Sequence, residues 1–91
     1  MKDLNECRKE IDEIDQQLIK LFEQRMKISK EVVTYKLANN MQIFQSKREK
    51  DVIEKNVKRL NDSSLQAYAH NFVQDIMDIG KSYQATFIPL T

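Results

Sequence analysis

One glycine and one proline are all that the 91-residue chain contains. Sheets joined by tight turns draw on both residues, so their scarcity points to an all-α fold. A single cysteine, Cys7, rules out a disulfide within the chain and agrees with a cytoplasmic setting. With one cysteine and one histidine, His70, an all-Cys/His zinc site within one chain is ruled out as well, and no metal is expected. No apolar run approaches the ~20 residues of a membrane span, and no signal-peptide pattern is present. A formal net charge of +1 leaves neither a basic field for nucleic acid nor an acidic tail for a basic partner.

What the chain does have is charge in quantity, locally sorted, and a long apolar rhythm. Its 41% apolar and 32% charged residues suit one small domain over 1–91. Asp3, Glu6, Glu10, Asp12, Glu13 and Asp15 crowd the first fifteen residues, as a helix N-terminus with its positive dipole end favours. Leu4, Cys7, Ile11, Ile14, Leu18, Leu21, Ile28, Val32 and Tyr35 then recur at steps of three and four, apart from one gap. This spacing predicts a first helix over about 3–38, capped by Asp3 with Glu6 three residues on and stopped by Asn39-Asn40. A second helix is expected over 46–60, opened by a Ser46/Glu49 capping box, with Val52, Ile53, Val57 and Leu60 on one face. A third is expected over 63–85, opened by Ser63 with Gln66. It carries one stripe of Leu65, Ala69, Phe72, Ile76, Ile79 and Tyr83, and beside it a row of Val73, Met77, Gly80 and Gln84. The tail 86–91, with Pro89, is expected to be irregular.

The first helix is too long for a compact monomer. It would run ~50 Å, whereas a compact domain of this length has a radius of gyration of only ~12–13 Å. The remaining residues cannot cover both of its ends, so its seam calls for a second chain, most simply in a twofold dimer. Cys7 lies in that seam and reads as a small apolar side chain, while His70 reads as a surface or boundary residue.

Arg25 falls in the one gap of the seam, between Leu21 and Ile28. A guanidinium cannot shed its charge, and burying it unpaired is costly, so something anionic should meet it. Glu23 points elsewhere and Glu31 is too distant, which leaves an ion pair to another helix or an anionic ligand. Lys36 lies eleven residues on, ~20° around the helix and ~16 Å along it, with Val32 between the two. A small apolar ligand with separated negative charges fits that face; a snorkelling Lys36 is the bland alternative. Arg8 is ~25 Å and ~100° from Arg25 and can join it only from a partner chain. Arg48 and Glu49 add a cation and an acid at the start of the second helix, where capping already accounts for Glu49. Gly80 costs a helix ~1 kcal/mol relative to alanine, which signals close helix packing or room for a ligand beside Gln84.

Taken in order, "CRKEIDEIDQQLIKLFEQR", "VVTYK", "REKDVI" and "FVQDIMDIGKSYQ" resemble the all-helical, AroQ-class chorismate mutases over about residues 4–84. No single piece is specific, but the ordered set is. The resemblance implies L-shaped three-helix chains in an intertwined homodimer with shared active sites. It also implies a cofactor-free Claisen rearrangement of chorismate to prephenate, on the route to phenylalanine and tyrosine. Carried over by position, Arg25 and Lys36 bind the substrate carboxylates together with Arg8 of the other chain. Lys36 and Gln84 face the ether oxygen, Glu49 takes the ring hydroxyl with Arg48 nearby, and Val32 and Met77 line apolar walls. Such a reaction needs the dianion held in a reactive chair and fixed donors where charge grows, not a nucleophile or metal.

Two positions depart from the family pattern. Gln45 stands where many relatives have Asp, which alters the contact with the ring hydroxyl or leaves it to the backbone. Gly80 stands where many have Ser, which removes one carboxylate hydrogen bond. A small residue there also occurs in members fused to or working beside DAHP synthase, and association with that enzyme is the setting this implies. Two rival readings are isochorismate-pyruvate lyase on the same fold and a non-catalytic dimerisation or regulatory module. Glu49 after Arg48 speaks against the first, and Arg8, Arg25, Lys36 and Gln84 together speak against the second.

Overall fold

The computed structural model describes residues 1–89. Helix α1 spans Leu4–Ala38, α2 spans Ser46–Val57, and α3 spans Gln66–Ala85, with a 3-10 turn at Ser63–Leu65 before it. All the regular structure of the described residues is helical. No helix among them is long and apolar enough to cross a membrane.

The two ends of α1 follow the sequence closely. The Asp3 carboxylate accepts the Glu6 backbone N–H at 2.8 Å, satisfying one of the donors a helix start leaves open. At the other end Asn40 adopts a left-handed backbone with φ of 53°, which asparagine tolerates better than most residues. The Met41 N–H then reaches back to the Lys36 carbonyl at 2.9 Å and the Asn40 N–H to that of Leu37, the hydrogen-bond pattern of a Schellman stop.

Helix α2 begins at Ser46 and α3 ends at Ala85 as expected, but the end of α2, the start of α3 and both caps differ. The Ser46/Glu49 capping box does not form. Gln45 occupies the cap without a side-chain bond, and Glu49 instead meets the Lys81 ammonium at 2.6 Å across the α2–α3 contact. A full positive charge outcompetes a backbone amide for a carboxylate. Helix α2 also ends at Val57 rather than at residue 60. Beyond it the Arg59 and Leu60 N–H groups bond three residues back, to Asn56 and Val57, which tightens the chain into a turn. Ser63 does not open α3: it begins the 3-10 turn, whose cap is Asp62, and α3 follows with Leu65 at its cap and no side-chain bond. The Asp62 carboxylate accepts the Ser64 hydroxyl at 2.6 Å and the Ser64 N–H at 3.0 Å. These two bonds, the hydroxyl first, hold the Asp62 carboxyl below the usual aspartate value.

Helix α3 is the element on which both others pack. The core is one residue from each helix: Val33 of α1, Ile53 of α2 and Met77 of α3, with Gly80 buried beside Met77. Of the two rows expected on α3, it is the one holding Val73, Met77, Gly80 and Gln84 that turns inward, while Leu65, Phe72 and Ile79 of the other stay exposed. On α1 the inward side is also displaced from the seam. Met26, Ser29, Val33 and Leu37 are buried or half-buried, and they repeat the three-four step one position over from Ile28 and Val32. The seam itself is bare in the single chain: Leu4, Ile11, Ile14, Leu18 and Leu21 are all exposed, as is Cys7. His70 is exposed too. The chain measures 58 × 25 × 16 Å, with a radius of gyration of 16.7 Å against the ~12 Å of a compact chain this long.

Candidate active site

Where α1, the loop after it, α2 and α3 face one another, they leave an open cleft of about 320 Å³. Helix α1 contributes Arg25, Ile28, Ser29, Val32 and Lys36, a face of three turns. The loop adds Ile43, Phe44 and Gln45; α2 adds Arg48, Glu49 and Val52; α3 adds Met77, Gly80, Lys81 and Gln84. Four cations therefore stand around one carboxylate, with Ile28, Val32, Phe44, Val52 and Met77 as apolar walls between them.

The cations are not equivalent. Lys81 is engaged, meeting Glu49 at 2.6 Å and Asp78 at 3.3 Å. Glu49, and then Asp78, raise its ammonium above the usual lysine value. Arg25, Lys36 and Arg48 have no carboxylate partner within 4 Å among the described residues. Lys36 spends one donor on the Ile43 carbonyl at 3.0 Å, which straps the 39–45 loop across the cleft's edge. Two of its three donors remain. Gln84 donates from Nε2 to the Ser29 carbonyl at 3.0 Å, tying α3 to α1 and fixing the amide at the cleft wall. Its second N–H remains available.

Gly80 lies opposite Arg25. A β-carbon there would sit 3.7 Å from Arg25 Nη1 and 3.6 Å from Ser29 Oγ, both ordinary contact distances. The helix contact at this point thus tolerates a methyl group. A longer side chain would enter the space in front of the guanidinium, and glycine leaves that space open.

A scan of protein families finds the model described as chorismate mutase type II matching residues 7–85. The chain belongs to the chorismate mutase type II family. A relative in Aquifex aeolicus (strain VF5), named bifunctional chorismate mutase/prephenate dehydratase, is 39% identical over 61 residues. That stretch is 67% of this chain and 17% of the relative, so the chain spans only a fraction of that protein's length. No solved structure matches.

Of the ten site positions expected from the sequence, nine meet at the cleft: Arg25, Val32, Lys36, Gln45, Arg48, Glu49, Met77, Gly80 and Gln84. Arg8 does not. It lies on the exposed first part of α1, ~25 Å along the helix from Arg25. Sequence reasoning missed Ser29 and Lys81. Lys81 follows one helical turn after Met77 and three residues before Gln84, so the helical repeat that picked out those two also placed it at the same wall.

Proposed function

We propose that the chain is a chorismate mutase, converting chorismate to its isomer prephenate in a site completed by a second copy of the chain. The observation that carries this reading is the unequal state of the cations. Arg25, Lys36 and Arg48 line one cleft without a carboxylate partner of their own among the described residues, which suits a ligand bearing more than one negative charge.

The chemistry asks for little else. One carbon–oxygen bond breaks while one carbon–carbon bond forms, and no proton moves. Arg25 and Lys36, spaced ~16 Å along one helix face, hold the two carboxylates of the dianion. The apolar walls at Val32 and Met77 press its body into the folded conformer that reacts, an orientation effect. As the ether bond lengthens, charge grows on its oxygen. The spare donors of Lys36 and Gln84 answer that charge from positions already fixed by the Ile43 and Ser29 carbonyls. Donors held this way stabilise the transition state more than the ground state. Arg48 and Glu49 bind the ring side of the substrate, with Gln45 beside them.

Arg8 enters from the second chain. The bare seam of α1 supports this part of the reading, because it offers a partner an apolar face continuous with the residue the cleft lacks. Purified protein is expected to consume chorismate and release prephenate without added metal. Pyruvate as the product would point to the lyase reaction instead. Absence of turnover would leave the fold as a dimerisation module.

A further inference from the structure

The Lys81–Glu49 pair spans α2 and α3 at the wall of the cleft. Its geometry is one-sided: Lys81 Nζ meets Glu49 Oε1, and no other hydrogen bond or ion pair among the described residues reaches the Glu49 carboxylate. Lys81 is in turn held from the solvent side by Asp78, three residues back on the same helix, at 3.3 Å. An exposed surface pair contributes little, but this carboxylate is turned away from the helix start that it was spaced to cap. The lysine thus decides where the one acid of the cleft points.

We infer that Lys81 is a positioning residue. It draws Glu49 off the α2 N-terminus and fixes it with Oε1 paired and Oε2 left as an acceptor for a hydroxyl of the bound substrate. The charge balance fits this role. By pairing with Glu49, Lys81 withdraws its own charge from the cleft and leaves Arg25, Lys36 and Arg48 to the carboxylates. Lys81 therefore acts through Glu49 and does not touch the substrate. The inference rests on the chorismate mutase reading, in which Glu49 accepts from the ring hydroxyl.

A double-mutant cycle on chorismate turnover separates this role from its rivals. Lys81→Met is expected to lower kcat/KM about tenfold, mostly through KM, because a misplaced acceptor weakens binding before and during reaction alike. Lys81→Arg should recover most of that loss. Glu49→Gln should lower kcat/KM at least as far, and adding Lys81→Met to it should change the value by less than about twofold. Losses that multiply in the double variant would mean that Lys81 binds a substrate carboxylate itself, and would overturn the inference. So would a Lys81→Met enzyme as active as wild type. Melting temperatures for all four proteins guard the reading against unfolding, and equal loss in Lys81→Met and Lys81→Arg would reduce the pair to a structural tie and overturn it too. A wild type that turns over no chorismate would overturn the functional reading and this inference together, whereas an active wild type with any of the other adverse results overturns the inference alone.

Discussion

Residues 4–22 and 26–38 belong to one helix and follow a three-four apolar rhythm, but their surroundings are opposite. Every residue of the first segment is exposed, whereas the second buries Val33 completely and half-buries Met26, Ser29, Lys36 and Leu37. The second segment packs on α3 and lines the cleft; the first is exposed along its whole length, and among the described residues its one ion pair is Glu10 with Lys2 just before the helix. Leu4, Ile11, Ile14, Leu18, Ile19 and Leu21 together make a long apolar stripe of a kind that soluble monomers seldom leave in water. An apolar rhythm therefore says that a helix has a face to cover, and leaves open which chain covers it. Arg25 stands at the junction, where the bare stripe gives way to the cleft.

The strongest way to break this contrast is to charge the bare half. Ile14→Glu with Leu18→Glu is expected to abolish self-association in sedimentation and to lower chorismate turnover by about a hundredfold or more, since unpaired charges would have to enter an apolar interface. Helix content by circular dichroism should fall with it, because an isolated amphipathic segment has little stability of its own. A variant that stays as associated and as active as wild type would show that residues 4–22 have no partner.

The next effect ties the two halves together. Arg8→Ala and Arg25→Ala should each lose about a hundredfold or more of activity, as expected for losing a charged contact to a reacting dianion. Mixed under conditions where subunits exchange, the two inactive proteins should regain about a quarter of wild-type activity, because half the dimers are mixed and each mixed dimer has one intact site. Mixed dimers that form but stay inactive would place Arg8 outside the site.

These contrasts mark how far the sequence could be read. The limits and caps of α1 were legible because Asp3, Asn39 and Asn40 act on the backbone within a few residues. Glu49 was misread at exactly the range where local rules stop: its spacing from Ser46 satisfies a capping box, but a lysine 32 residues later attracts it more strongly. Ser63 was misread for a local reason, since Asp62 beside it is the better acceptor and opens a 3-10 turn first. The gathering of Arg25, Lys36, Arg48, Glu49 and Gln84 around one cleft was not readable from helical spacing, which relates residues only within a helix. Resemblance across the ordered motifs supplied that link. Val33 was missed because the inward face of α1 runs beside its more conspicuous seam.

The smallest effect sharpens the comparison most finely, because it removes only two or three apolar carbons. Val33 is fully buried within its own chain, so Val33→Ala should lower unfolding stability by about 2 kcal/mol without changing the dimer dissociation constant. Leu18 is 44% exposed in the single chain, so within that chain Leu18→Ala should cost no more than about 0.5 kcal/mol. With a partner seated on the seam, the same change removes interface contacts. It should then weaken association about tenfold or more, and melting of the variant should depend more steeply on protein concentration. The two substitutions thus act on different equilibria in one helix. If Leu18→Ala left the dissociation constant untouched while Val33→Ala raised it, the assignment of the two halves would be reversed.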